Sequence, residues 1–235
     1  MSTPLVLLPG LLCDVAVWAP QMAALSRSAT VVHYGRANSL AAMAQLALDA
    51  APAGRFALAG HSMGGRVAFE VWRLAPERVE RLALMDTGAH PLAEGAAGET
   101  ERAGRLRLLA LARAQGMRPM AADWARGMVH ESRIGGPVFD AVLDMFERHD
   151  ADVFEAQIHA LLTRPDAVPL LPTVTCPTLL LAGEQDAWSP PEQHRRMQQA
   201  IPGPTQFVAV PRCGHMVTLE APAAVTAALA DWLAA

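Results

Sequence analysis

The chain has 235 residues, of which 52% are apolar and 5% aromatic, enough for one well-buried α/β domain with room for an insertion. A formal charge of −4 argues against a nucleic-acid binder working through bulk positive charge. All 19 basic residues are arginine, which excludes a Schiff-base lysine and the lysine of a phosphate-binding P-loop.

In chain order, Leu5–Leu8 is a short apolar run that stops at Pro9-Gly10. With no positive residue before it, a Pro-Gly break inside it and leucine before Cys13, it reads as a first strand rather than a secretion signal. Ala16–Ser26 suits a helix, Thr30–His33 a short strand, and Ser39–Ala50 a helix capped by Asn38 or Ser39. Phe56–Ala59 is the next strand, Met63–Ala75 a helix ended by Pro76, and Leu82–Met85 a strand ending at Asp86. Such alternation predicts a parallel sheet whose strands, covered on both faces, read as continuous apolar runs.

Residues 90–165 contain no strand pattern. They read as four helices, Glu99–Gln115, Pro119–His130, Pro137–His149 and Ala151–Thr163, broken at Gly116, Gly135-Gly136-Pro137 and Pro165. Strand rhythm returns with Thr178–Ala182, helix Pro191–Ala200, strand Gln206–Val210 and helix Ala223–Trp232. The expected organisation is a core of residues 1–89 and 166–235 with a helical lid over 90–165. No run reaches the length of a membrane span. Three scattered cysteines, Cys13, Cys176 and Cys213, make no disulfide framework or zinc motif, which suits thiols in a reducing, cytoplasmic setting. No HExxH or paired-cysteine motif supports a metal, and no cofactor is expected.

The chemistry-bearing stretch is Gly60-His61-Ser62-Met63-Gly64, between a strand and a helix. G-x-S-x-G in that context describes a nucleophile elbow, a strained turn that lifts a serine hydroxyl above the sheet and starts a helix beneath the reacting carbonyl. The two glycines remove side chains that would crowd the turn. The Met63 amide, next after the nucleophile, is one expected donor to an oxyanion. A serine needs a base. Among eight histidines, His215 follows the last strand in "PRCGHMVTLE". His61 is expected to pack or point away at the turn, and His33 could line a pocket. His90, His130, His149, His159 and His194 carry no motif and are expected to be solvated. Cys213 is expected to pack beneath the histidine loop. The acid that orients the base is expected to be Asp186 in "GEQDAW", with Glu184 and Asp86 as rivals; Asp86 could instead brace the loop into the helical segment.

Ser62, Asp186 and His215 occur in the order found in α/β-hydrolases. On the elbow, the "GEQD" turn, the "GH" near the end and the helical segment after Asp86, the chain resembles that superfamily over nearly its whole length. It looks most like small lidded serine esterases of the pimeloyl-acyl-carrier-protein methyl ester esterase and enol-lactonase type. The resemblance implies an α/β-hydrolase fold in which Leu5–Leu8 takes the place of the family's third strand. A mostly parallel sheet of about six strands would remain, with helices on both faces. It also implies a second oxyanion donor in "LLPGLLCDVAVW": the Leu11 amide, with Leu12 next, Pro9 standing where the family often has histidine.

The function read from this is hydrolysis of carboxylic esters, lactones or thioesters through an acyl-enzyme on Ser62, with small-molecule substrates. A low-turnover receptor, a C–C hydrolase or an acyltransferase would share the residues. Falling activity with falling pH is expected, because only a neutral imidazole is a base. Met117, Met120, Trp124, Met128, Phe139, Met145, Phe146 and Phe154 give the lid its apolar surface; Leu12, Trp124, Met128, Phe139 and Phe146 are the expected substrate contacts, the rest serving mainly to hold the helices down. Residues 99–134 are arginine-rich, which a solvated helix face explains; docking of an anionic partner such as an acyl carrier protein is what the resemblance would also allow.

Overall fold

The computed structural model describes residues 3–25 and 27–235. Its sheet has six strands, β1 (Leu5–Leu8), β2 (Ala29–Val31), β3 (Phe56–His61), β4 (Val79–Met85), β5 (Thr178–Gly183) and β6 (Thr205–Val210). Their spatial order is β2-β1-β3-β4-β5-β6, and every neighbouring pair is parallel. β1, β3 and β5 are buried at every residue, which is why each reads as an uninterrupted apolar run; the edge strands β2 and β6 are only partly covered. β4 begins earlier than its apolar run suggests. Its first turn of residues includes Glu80, which accepts a hydrogen bond from Thr3 (2.7 Å), and Arg81, which donates to the Trp232 carbonyl (3.0 Å).

The helices are α1 (Ala19–Ala24), α2 (Leu40–Ala50), α3 (Met63–Leu74), α4 (Ala96–Gln115), α5 (Met117–Trp124), α6 (Pro137–Glu147), α7 (Ala151–Leu162), α8 (Pro191–Ala200), α9 (Val217–Glu220) and α10 (Pro222–Ala234). Helices cover both faces of the sheet: α2 and α3 pack together, and α1 packs on α10. The helix expected over Ala16–Ser26 is split into a 3-10 turn, Val15–Trp18, and α1; Ser26 lies outside the described residues. Ser39 caps α2 by accepting from the Ala42 amide at 3.2 Å. Between β4 and β5, α4 packs on α5 and α7, and α5 on α6. Gly116, at φ +94°, makes the break between α4 and α5 in a backbone region that side chains disfavour.

The expected helix Pro119–His130 stops early. Past Trp124 a 3-10 turn, Ala125–Gly127, leads through a bend into a second 3-10 turn, Glu131–Arg133. The groups that would continue a helix are taken elsewhere: the Met128 carbonyl accepts the His215 amide at 2.6 Å, and the His130 amide donates to Glu220 at 2.7 Å. α9 is too short for periodicity to reveal.

The strand order carries the functional consequence. The chain leaves β1 for β2 on one side, then returns to β3 on the other, so the loops after β1 and β3 diverge. In open parallel sheets that divergence leaves a crevice at the carboxyl ends of the strands. Gly10-Leu11 and Ser62 stand on its two sides.

Candidate active site

Ser62 directly follows β3 at φ +55° and ψ −117°, a conformation side-chain-bearing residues rarely adopt. Its amide donates to the Met85 carbonyl (2.9 Å), and its own carbonyl accepts the Thr87 hydroxyl (2.7 Å) and the Gly65 amide (3.0 Å). The glycine requirement is steric. A Cβ at Gly60 would collide with the Gly64 backbone, and one at Gly64 with the Leu8 and Pro9 carbonyls of the β1 end. The expected mutual crowding is therefore half the reason; the other half is that α3 is seated directly on β1.

His215 Nε2 lies 2.7 Å from Ser62 Oγ, and Nδ1 lies 2.8 Å from Asp186 Oδ2. Asp186 is buried, and its other oxygen accepts the amides of Trp188 (2.9 Å) and Ser189 (3.0 Å). Burial alone would raise this carboxyl, but the His215 charge and the hydrogen bonds hold it below its ordinary value. An ionised Asp186 keeps a proton on His215 Nδ1 and leaves Nε2 free to accept from the serine.

The rivals sit elsewhere. Glu184 is exposed. Asp86 is fully buried, and it accepts the Gly183 amide (3.0 Å) and the Val217 amide (3.2 Å). It ties the end of β4 to the loops that carry Asp186 and His215, a brace directed at the histidine side rather than at the helical segment. His61 is buried, its Nε2 donating to the His215 carbonyl at 2.8 Å. His194, expected to be solvated, is fully buried. Its Nε2 accepts the Thr87 amide (3.3 Å), Nδ1 donates to the Pro190 carbonyl (3.3 Å), and burial lowers its pKa. His33 is exposed and does not border the cavity onto which Ser62 opens.

The β1 loop closes against the elbow: a Cβ at Gly10 would stand 3.3 Å from Ser62 Cβ. Gly10 and Cys13 close a turn (3.1 Å) in which Leu12 has φ +56°. The Leu12 amide is spent on Gln157 Oε1 of α7 (2.8 Å), whereas the Leu11 and Met63 amides have no protein acceptor among the described residues. Leu11, Met63, Ser62 and His215 all border one cavity of about 480 Å³. Cys13 borders it too, but burial and the Asp14 charge push its thiol far up, away from the thiolate.

Trp124, Met128 and Phe146 of the expected contacts line this cavity, with Leu108, Leu161 and Trp188 completing its apolar wall. Leu12 and Phe139 do not. Leu12 is buried in the core behind its turn, and Phe139 is buried among the helices. Trp124 lies against Phe146, Phe154 and Trp188, with ring centroids 5.5, 5.7 and 5.8 Å apart.

Two groups escaped the sequence reading. Glu220 accepts the amides of Gly214 (3.0 Å) and Met216 (3.1 Å) on either side of His215, and that of His130 (2.7 Å). Its burial raises its pKa. Arg66, Glu101, Arg105 and Arg164 form a charged wall of the same cavity. A hint of this wall lies in the arginine-rich stretch 99–134, which holds Arg105 and reads as a solvated helix face or a docking surface. Arg107 also borders the cavity but is ion-paired with Asp123, and elsewhere in the helical segment Arg113 and Arg118 are ion-paired too, all at 2.6–2.8 Å. Among the described residues no three His, Cys, Asp or Glu side chains gather as a metal site would require, and Cys213 packs beneath the His215 loop as a buried free thiol.

An all-parallel six-stranded sheet with a serine elbow, histidine and carboxylate at its carboxyl edge defines an α/β-hydrolase. The model of the alpha/beta hydrolase family matches residues 3–229, and the chain belongs to that family. Among solved structures it is similar to a malate-bound thermophilic esterase from Thermogutta terrifontis, with 29% identity, TM-score 0.85, and coverage of 100% of this chain and 90% of that one. It is also similar to the enol-lactonase from Burkholderia xenovorans LB400, with 25% identity, TM-score 0.83, and coverage of 100% and 92%. A Caulobacter sp. (strain K31) protein, provisionally named the carbamate hydrolase RutD, is 28% identical over 92% of this chain and 85% of its own. The chain is thus a hydrolase of that family. Among the described residues no helix is long and apolar enough to cross a membrane.

Proposed function

We propose that the protein hydrolyses carboxylic esters, lactones or thioesters through an acyl-enzyme on Ser62. The observation that carries this is the unbroken chain from Ser62 Oγ through His215 to Asp186, at 2.7 and 2.8 Å, opening on a cavity bordered by two unspent amides. His215 Nε2 takes the hydroxyl proton as Ser62 Oγ bonds to the substrate carbonyl carbon. The carbonyl π pair moves to oxygen, and the Leu11 and Met63 amides receive that charge. The tetrahedral adduct collapses, the C–O bond to the alcohol breaks, and His215 returns the proton to the leaving oxygen. Water, deprotonated by the same imidazole, then attacks the acyl carbon, and Ser62 leaves with a proton. Asp186 holds the ring in the right tautomer throughout. Residues 90–165 act as a lid whose Trp124, Met128 and Phe146 shield the acyl group. Three buried free thiols suit a reducing, cytoplasmic setting.

The test is hydrolysis of 4-nitrophenyl esters from acetate to decanoate, wild type beside Ser62→Ala. Turnover that vanishes in the variant supports the reading, and the chain-length optimum sizes the pocket. Stoichiometric phosphonate labelling at Ser62 without ester turnover would favour a receptor, and no labelling at all would overturn the nucleophile. An aryl carbamate beside the esters asks whether the name of the Caulobacter relative extends to this chain.

A further inference from the structure

The cavity has two unlike ends. Beside His215 the rings of Trp188, Trp124 and Phe146 make an apolar wall; at the other end stand three guanidinium groups, Arg66 of α3, Arg105 of α4 and Arg164 beyond α7, with one carboxylate, Glu101. Glu101 is fully used: Arg164 reaches it through two nitrogens, at 2.7 and 2.8 Å, and Arg105 at 2.9 Å. Arg107, on the same wall, is neutralised by Asp123 at 2.8 Å. Arg66 has no carboxylate partner among the described residues. Its one hydrogen bond to protein is from Nη1 to the His90 carbonyl, at 2.8 Å. Three cations against one anion leave this wall two positive charges in excess.

The imbalance runs against the usual order. Among the described residues exposed arginines occur both ways: Arg36 pairs with Asp150 and Asp152 and Arg118 with Asp144 and Glu147, while Arg55, Arg102 and Arg126 are solvated without a carboxylate. Here Arg164 is only 7% exposed and Arg105 23%, and Arg66 beside them, itself partly buried, has no counter-charge of its own among the described residues. Withdrawing a cation from water without an anion is costly. Burial first, and the neighbouring Arg164 second, press the Arg66 guanidinium down to about 9, so it still carries its charge at neutral pH at the expense of stability. An arrangement of this kind is relieved by an anion entering the cavity. Guanidinium groups match the planar, two-oxygen face of a carboxylate. Arg66 follows Ser62 by about one helical turn, roughly 6 Å along α3, so one small molecule can reach both.

We propose that the substrate is an ester or lactone that itself carries an ionised carboxylate, held by Arg66 with Arg105 and Arg164 while its ester carbonyl lies at Ser62. A short dicarboxylic half-ester has this chemistry. The proposal rests on the serine-hydrolase reading for its reaction, but the anion site is independent of turnover.

The experiment compares mono-4-nitrophenyl adipate with 4-nitrophenyl hexanoate, which share acyl length and leaving group and differ by the terminal carboxylate. In wild type the ratio of kcat/KM should favour the half-ester by about tenfold or more, as hydrogen bonds to charged groups imply. That ratio should shrink as salt is raised. In Arg66→Gln it should collapse towards unity through a higher KM for the half-ester, with partial recovery in Arg66→Lys. A purely structural role for Arg66 would lower both rates and leave the ratio alone. In parallel, calorimetry on Ser62→Ala should show adipate binding that Ser62→Ala/Arg66→Gln loses. A wild-type ratio at or below unity, with no adipate binding to Ser62→Ala, overturns the proposal while leaving ester hydrolysis standing. Adipate binding lost with Arg66, in a protein that turns over neither ester and takes no phosphonate at Ser62, supports the anion site and overturns the hydrolase reading instead.

Discussion

The two ends of the cavity are built on opposite principles. At the Ser62 end each buried carboxylate has its partners: Asp186 accepts three donors, Asp86 accepts two backbone amides, and Glu220 accepts three. At the Arg66 end the chain leaves positive charge unmatched. A satisfied network holds its members in one geometry and is prepared for chemistry. An unsatisfied one stores a cost that a ligand can remove. The difference teaches where to look for each function: reactivity where the bonds are complete, specificity where one is missing.

The comparison breaks most visibly at its most complete point. Exchanging Asp186 for asparagine should lower kcat by about 10⁴-fold, because the ring then loses its correct tautomer. Asp86→Asn makes the control. That carboxylate bonds only to the Gly183 and Val217 amides within the usual range, so its loss should appear as a lower melting temperature. If Asp86→Asn takes the larger kinetic loss, the acid has been misassigned. The next effect is on stability: Gly64→Ala forces a methyl into the Leu8 and Pro9 carbonyls. Overpacking against backbone that cannot rotate away should cost about 3 kcal/mol, seen as a melting temperature several degrees lower.

How far the sequence foretold this arrangement depended on the range of the interactions. β1, β3 and β5 were legible because burial on both faces writes itself as a continuous apolar run. The elbow was legible because its constraint is contained in five residues. Glu220 was not: its role exists only when residue 130, past the 3-10 turn Ala125–Gly127, arrives beside it. His194 was misread for the same reason, since Thr87 and Phe207 bury it from other strands. Phe139 shows the limit of composition. An apolar residue on an amphipathic helix must be buried, but whether against a neighbouring helix or a cavity is decided by packing. Nothing local marks Arg66; its setting exists only when Arg164, nearly a hundred residues later, is placed beside it.

Glu220→Gln sharpens the satisfied end. One carboxylate holds the Gly214 and Met216 amides that flank His215, and the His130 amide from the helical segment between β4 and β5. Glutamine keeps the shape but turns one acceptor into a donor facing a donor. Sub-ångström drift of the imidazole should lower kcat by about tenfold, within what misplacement of a catalytic group is known to cost. The rate of Ser62 phosphonylation should fall in step, with KM little changed.

The smallest effect probes the unsatisfied end through pH. Burial alone would raise the Glu101 carboxyl; the Arg164 hydrogen bonds and the charges of Arg105 and Arg164 override it and hold the group at about 2. A carboxylate depressed below its ordinary value near 4.5 adds stability that is fully present above that value and lost as pH falls towards about 2. Glu101 is partly open to solvent, so the contribution is modest. Melting curves taken across that window should therefore decline less steeply in Glu101→Gln than in wild type. The same substitution removes the one anion from a wall of three cations. At neutral pH it should lower the melting temperature and yet tighten adipate binding, two changes of opposite sign from one lost charge. A variant that is destabilised and binds adipate no better would mean that the cluster is balanced as it stands, and the contrast between the two ends of the cavity would disappear.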